Sequence, residues 1–357
     1  MCPLWSRQTP ARQGEPRAEP GLRSLLTRLM RGENLDRAEA AALLDALLDG
    51  EATDAQIAAA LVALAMKGET VEELAGMAQA MRARAHRVNC CHASFIDTAG
   101  TGSSYAKTFN VSTAAAFVIA GAGLAVAKHG SRAATSRSGS ADVLAALGVN
   151  VSAAPEISET CLNEAGICFM FAPLYHGATA RVAGVRRELG VHTTFNLLGP
   201  LTNPARAPRQ LIGVWHAALL EPLAQTLRAL GTERAWVVHG SDGLDEVTLA
   251  GPTLVAEASL EGTKRFEIGP EDFGLERASI EHLRGGSAED NAQTIREIFA
   301  GTRRDEARAL VVANAAAALF VGGAGPDLKA CARLAEQSID GGAARAKLDR
   351  LVRATNG

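Results

Sequence analysis

Two stretches of this sequence limit its fold more than any other feature. In each, a short apolar run ends, glycines and hydroxyl residues follow, and an alanine-rich helical pattern begins. The first passes from Asp97 through Gly100, Gly102, Ser103, Ser104, Lys107, Thr108, Asn110 and Ser112 to Thr113, and the second from Lys128 through His129, Gly130, Ser131, Arg132, Thr135, Ser136 and Arg137 to Ser140. Strand, tight turn and helix, repeated in that order, is the alternation of an α/β domain with a mostly parallel sheet. Candidate strands are 95–98, 124–127, 167–171, 211–215, 235–239 and 254–257, and candidate helices are 114–120, 141–147, 221–230 and 307–319.

Before Arg87 the texture is different. Leu22, Leu25, Leu26 and Leu29 recur at helical spacing, as do Ala40, Leu43, Leu44, Leu47 and Leu48 after the start candidates Asn34 and Asp36. Thr53 with Gln56 and Thr70 with Glu73 have the spacing of capping boxes. Four short helices with tight connections predict a small bundle over 22–90. The amphipathic stretch 180–189 is a candidate to cross back, so that 180–200 would complete the bundle and 91–179 with 201–357 would form the α/β domain. Residues 1–21 hold Pro3, Pro10, Pro16 and Pro20 with no apolar signal core, and are expected to be a disordered leader.

Composition removes several classes of function. Lys and Arg number 36 against 39 Asp and Glu, a formal net charge of -3, so no global basic field exists to hold a polyanion. With two Tyr and three Trp the chain also lacks the rings of a single-strand stacking platform. Nucleic acid is therefore a poor partner. The longest apolar stretch, 114–126, is broken by Gly121 and Gly123 and is too short to span a bilayer of about 30 Å. None of the six cysteines forms a Cys-x-x-Cys pair, which reads as reduced thiols in a cytoplasmic protein.

Four segments carry candidate chemistry. In the first, Ser103, Ser104, Lys107, Thr108, Asn110, Ser112 and Thr113 converge on a helix N-terminus, whose unpaired N–H groups and dipole favour an anion. Ordinary Ser/Thr capping of a tight turn is the plain alternative. In the second, three basic side chains and five hydroxyls within 128–140 suit a phosphomonoester, with Ser140 as a candidate cap; the alternative is a Ser/Arg linker. The third is Ser241-Asp242-Gly243-Leu244-Asp245-Glu246, where adjacent carboxylates after a strand suit magnesium if phosphates share the site, or else form a solvated turn. The fourth, from Gly184 to Pro204, places Arg186 and Arg187 as carboxylate clamps or as a surface pair.

With Lys128-His129-Gly130, Ser138-Gly139-Ser140-Ala141-Asp142, Phe195-Asn196-Leu197-Leu198-Gly199-Pro200-Leu201-Thr202-Asn203-Pro204 and Asp242-Gly243-Leu244-Asp245-Glu246 in this order, the chain resembles the anthranilate phosphoribosyltransferases of tryptophan biosynthesis. The resemblance runs from about Leu22 to the C-terminus and includes Asp290-Asn291-Ala292 and Asn314-Ala315-Ala316-Ala317. It implies a small N-terminal helical bundle joined to a large α/β domain like that of the pyrimidine nucleoside phosphorylases, paired as a homodimer through the helical part. It also implies Mg²⁺-dependent attack of the anthranilate amine on ribose C1 of phosphoribosyl pyrophosphate, with two ions per subunit and no protein nucleophile. Gly100, Ser103, Ser104, Thr108, Asn110, Val111, Ser112 and Thr113 would receive phosphoribosyl pyrophosphate, together with Lys128, His129, Gly130, Ser131, Arg132, Ala133, Ala134, Thr135, Ser136 and Ser140. Gly100, Ser131 and Arg186 would meet anthranilate, and Ser112, Asp245 and Glu246 the metal.

The chain departs from this family in three places. Gly102-Ser103-Ser104-Tyr105 replaces the usual Gly-Gly-Asp-Gly, so Ser103, Ser104 and Lys107 are expected to act as substitute donors; Ser131 replaces Asn, and Gly177 replaces Pro. Two other readings compete. One is a relative using a different aromatic amine, and the other is an inactive nucleic-acid-binding relative with a patch made by Arg82, Arg84, Arg87, Arg186 and Arg187.

Overall fold

The computed structural model describes residues 21–102, 106–133 and 137–357. Four helices come first: α1 (Leu22–Met30), α2 (Arg37–Leu48), α3 (Asp54–Lys67) and α4 (Val71–Arg84). Capping boxes open α2 through Asp36 and Glu39, α3 through Thr53 and Gln56, and α4 through Thr70 and Glu73. Glu73 also reaches beyond its own helix. Its buried carboxylate accepts from Leu35 N at 2.9 Å and pairs with Lys67 Nζ at 2.8 Å, locking three helix ends together.

The remaining elements alternate. In order they are β1 (Phe95–Asp97), α5 (Val111–Gly121), β2 (Ala125–Gly130), α6 (Ser140–Ala146), α7 (Pro155–Thr160), a π turn (Cys161–Ala165), β3 (Ile167–Phe171), α8 (Ala172–Tyr175), α9 (Ala180–Leu189), α10 (Thr194–Leu201), β4 (Arg209–Gly213), α11 (Leu220–Ala229), β5 (Arg234–Gly240), β6 (Thr253–Ser259), β7 (Thr263–Ile268), α12 (Ala288–Phe299), α13 (Glu306–Val321), α14 (Leu328–Asp340) and α15 (Ala343–Thr355). The sheet order is β3-β2-β1-β4-β5-β6-β7, parallel from β3 to β5 and antiparallel across β6 and β7. Order reverses at β1, with later strands added on either side. Crossovers leave β1 and β4 in opposite directions and open a crevice at their C-terminal ends.

Each face of the sheet buries its own core. One is dominated by α5 and α13, helices apolar nearly all round and enclosed between the sheet and α14 and α15. The other joins Ile212, Val214, Val237 and Ala256 of the sheet face and its margin to α11 and to the leucines of α1–α4. Val182 and Val185 of α9 and Phe195, Leu197, Leu198 and Leu201 of α10 belong to this second core. Strand β7 was not among the expected strands, because Thr263–Ile268 is a mostly exposed, charged edge with no apolar run. Ser140 is not the cap of α6: Gly139 occupies that position, and Asp142 Oδ2 accepts from Gly139 N at 3.0 Å. The five described cysteines are free, and no described helix is long and apolar enough to cross a membrane.

Candidate active site

The crevice at the reversal point is a cleft with a cavity volume of about 310 Å³, and its walls come from the ends of three strands. The loop after β1 supplies Thr98 to Gly102, β2 and its loop supply Lys128 to Ala133, and the end of β4 supplies Gly213. Glycine at 213 admits the third segment. A Cβ built there would stand 1.5 Å from Asp245 O, so only a bare α-carbon lets the Asp245–Glu246 turn lie against the strand end. From behind, Asn314 of α13 grips the same turn: its Oδ1 accepts from Val247 N and its Nδ2 donates to Val247 O, both at 2.9 Å. Thr101 N donates to Gly213 O at 2.9 Å and closes the first loop onto β4.

Asn110, before the first turn of α5, ties the two donor-rich loops together. Its Nδ2 donates to Ser138 O at 3.2 Å, and its Oδ1 accepts from Ser138 Oγ at 3.2 Å and Asn291 Nδ2 at 3.0 Å. The second loop is organised around Asp142, which accepts from Ala133 N at 3.0 Å and pairs with Arg132 at 2.8 Å. Lys128 is buried at the floor, where Nζ donates to Thr98 O at 3.1 Å and to Ser112 Oγ at 3.4 Å. Beside it Asp97 accepts from Asn203 Nδ2 at 2.7 Å and His129 N at 3.2 Å.

Enclosure sets the electrostatics. Burial lowers the proton affinity of Lys128, opposed by attraction to Asp97 and Glu246, while burial pushes Asp97 up to about 6 against Lys128 and its hydrogen bonds. Glu246, half-buried by surface, is raised first by desolvation at the cleft wall and then by the neighbouring charge of Asp245. Two crowded carboxylates beside a phosphate-sized cleft fit a divalent cation, which would relieve both effects. Among the described residues no group of three or more His, Cys, Asp or Glu could hold a metal ion. His129 and His176 lie edge to face with ring centroids 5.1 Å apart, and burial pushes them down to about 3 and about 4, so both are neutral at pH 7.

Of the residues singled out from sequence, Gly100, Thr108, Asn110, Val111, Ser112, Thr113, Lys128, His129, Gly130, Ser131, Arg132, Ala133, Ser140, Asp245 and Glu246 all line this one cleft. Ser103, Ser104, Ala134, Thr135 and Ser136 lie outside the described residues. Arg186 does not line the cleft. Its guanidinium lies 5.1 Å from the ring centroid of Phe195, next to Asn196, which does line it. Of the arginines in the competing nucleic-acid patch, Arg84 pairs with Asp45 and Asp49, and Arg82 Nε donates to Leu201 O at 2.7 Å. Thr98, Thr101 and Gly213 were given no role, and Asn196, Asn291 and Asn314 were quoted only as parts of the motifs that carry the resemblance. For Gly213 a signal existed, a glycine ending an apolar strand run, which marks a close backbone approach.

Comparison with known proteins agrees with this architecture. Residues 23–85 match the glycosyl transferase family helical bundle domain, and residues 92–345 match the glycosyl transferase family a/b domain. The chain is 51% identical to the anthranilate phosphoribosyltransferase of Moorella thermoacetica, covering 93% of this chain and 97% of the relative. It is 53% identical to that of Rubrobacter xylanophilus, covering 80% and 83%. Among solved structures, the Thermus thermophilus anthranilate phosphoribosyltransferase superposes with a TM-score of 0.88 at 41% identity, covering 93% of this chain and 99% of that one. The Saccharomyces cerevisiae enzyme, solved in complex with phosphoribosyl pyrophosphate and Mg, superposes with a TM-score of 0.86 at 26% identity, covering 94% and 98%. Helical bundle, α/β domain and relatives agree: this chain belongs to the anthranilate phosphoribosyltransferase family.

Proposed function

We propose that this chain transfers the 5-phosphoribosyl group of phosphoribosyl pyrophosphate to the amine of anthranilate, in tryptophan biosynthesis. The amine nitrogen forms a bond to ribose C1 as the bond from C1 to the pyrophosphate oxygen breaks, and the amine gives up a proton. The observation that carries this reading is one cleft lined by two donor-rich loops, a buried lysine and a carboxylate pair. Lys128, the first turn of α5 and the loop around Ser131 bind the phosphates, and the rigid loop ties through Asn110 hold the reacting groups in alignment. Mg²⁺, when bound, offsets the charge of the pyrophosphate. Asp245 and Glu246 would hold it with Ser112, at two ions per subunit. Arg186, held against Phe195 beside the cleft-lining Asn196, would meet the acceptor's carboxylate.

The assay is loss of anthranilate fluorescence on mixing protein, Mg²⁺, phosphoribosyl pyrophosphate and anthranilate. Turnover is expected, abolished in Asp245→Ala and with the anthranilate KM raised in Arg186→Ala. Absence of turnover by the unaltered protein overturns the reading. We also propose a homodimer through the helical unit, where Met30, Val62 and Met66 of α1 and α3 are exposed, Met66 to 84%. Free thiols support a reducing, cytoplasmic setting.

A further inference from the structure

Helix α10 presents Asn196 to the cleft through a contact that reaches back into the helical unit. At the turn between α3 and α4, the half-buried Glu69 accepts at Oε1 from Thr194 Oγ1, 2.5 Å away, while the neighbouring Lys67 is turned to Glu73. Thr194 is buried and begins α10. Two residues on, Asn196 Oδ1 accepts from Thr193 N at 3.0 Å. An amide nitrogen has no means of accepting that N–H, so the bond fixes the orientation of the side-chain amide. Nδ2, with two N–H donors, is left on the other side, and among the described residues no partner is recorded for it. Phe195, between the two, carries the Arg186 guanidinium, for which no carboxylate partner is recorded among the described residues either. The first turn of α10 thus sets an amide donor in the cleft wall and, through Phe195, carries the α9 guanidinium of Arg186, which does not itself line the cleft. Both suit a carboxylate.

We propose that Asn196 Nδ2 donates to the carboxylate of the aromatic acceptor, with Glu69 and Thr194 as positioning residues that fix the first turn of α10 from the helical unit. This rests on the functional reading above. The competing role for Asn196 is that of a helix cap alone, and Asn196→Asp separates the two. Aspartate keeps an acceptor for Thr193 N at a helix N-terminus, but loses the donors and sets a carboxylate against the substrate's own.

Steady-state kinetics with each substrate varied, together with Tm, test the proposal. For Asn196→Asp the anthranilate KM is expected to rise about tenfold or more, with the KM for phosphoribosyl pyrophosphate within about twofold of the unaltered enzyme and Tm within a few degrees. Thr194→Val is expected to raise the anthranilate KM about threefold, and Thr194→Ser, which keeps the hydroxyl, to restore it. An unchanged anthranilate KM in Asn196→Asp overturns the proposal. So does a change confined to the phosphoribosyl donor, or a parallel rise in both KM values that follows a fall in Tm. An unaffected Thr194→Val removes the positioning role. Turnover by unaltered enzyme in the same series keeps these failures distinct from failure of the functional reading.

Discussion

At the scale of single residues, Gly213 and the buried histidines make the sharpest predictions. Because a Cβ at 213 would collide with Asp245 O, Gly213→Ala must push the carboxylate turn off the strand end. A loss of about 1–3 kcal/mol in urea unfolding is expected, together with a higher Mg²⁺ requirement for turnover; an alanine variant with unchanged Mg²⁺ dependence contradicts this account. His129, held at about 3, and His176, at about 4, stay neutral in the native state, whereas in the unfolded chain each takes up a proton near pH 6.5. Their contribution to stability is therefore complete above pH 6.5 and is lost as pH falls below it. Asp97 acts in the opposite sense, since its folded value of about 6 exceeds the ordinary 3.8, so the native state holds a proton that the unfolded chain releases. Glu246, pushed up to about 8, acts in the same sense as Asp97, so between about pH 4.5 and 6 two carboxyl protons offset the two imidazole protons and the histidine contribution shows only as a difference between variants. His176→Gln removes one imidazole that takes up a proton on unfolding, so its urea midpoint should rise relative to that of the unaltered protein as pH falls from about 7.5 to about 5, and an unchanged difference contradicts this account.

At the scale of elements, α6 depends on Asp142 at its third position, where one carboxylate caps the helix, takes Ala133 N and holds Arg132. Asp142→Ala should cost about 1–2 kcal/mol, as loss of a cap does, and should raise the KM for phosphoribosyl pyrophosphate by loosening the basic loop; thermal melts and kinetics check both. Elements with such local chemistry were readable in advance. The helices opened by Thr53 and Thr70 begin where their capping boxes stand, and the two donor-rich loops appear as Gly/Ser/Thr runs between a strand and a helix. Other elements hid. The run Thr194–Leu201 contains Gly199 and Pro200 and looks like a loop, yet it forms α10 because its apolar side packs into the second core. Helix α14 buries Cys331, Ala332, Ala335 and Ile339 on one face and was not named in advance although that face was there to be read. For the site, loops were legible and their struts were not: Asn291 and Asn314 are lone polar residues on helices, and only the tertiary fold reveals which loop each one meets.

At the scale of the whole molecule, the exposed methionines of α1 and α3 predict association. Met66→Glu should convert a dimer to a monomer in light scattering without unfolding it, whereas an unaltered protein that scatters as a monomer at micromolar concentration removes the homodimer. The second core has a further consequence. The leucines of α1–α4 share it with Val182, Val185, Phe195 and Leu198, residues made long after the four helices have been synthesised. A ribosome therefore extrudes the bundle with its docking faces for α9, α10, α11 and the sheet bare, and the nascent polypeptide keeps a sticky leucine surface until Ala258 has cleared the exit tunnel. Translation arrested between Arg84 and Leu201 should leave a protease-sensitive, aggregation-prone intermediate, and release of the full chain a much less sensitive product.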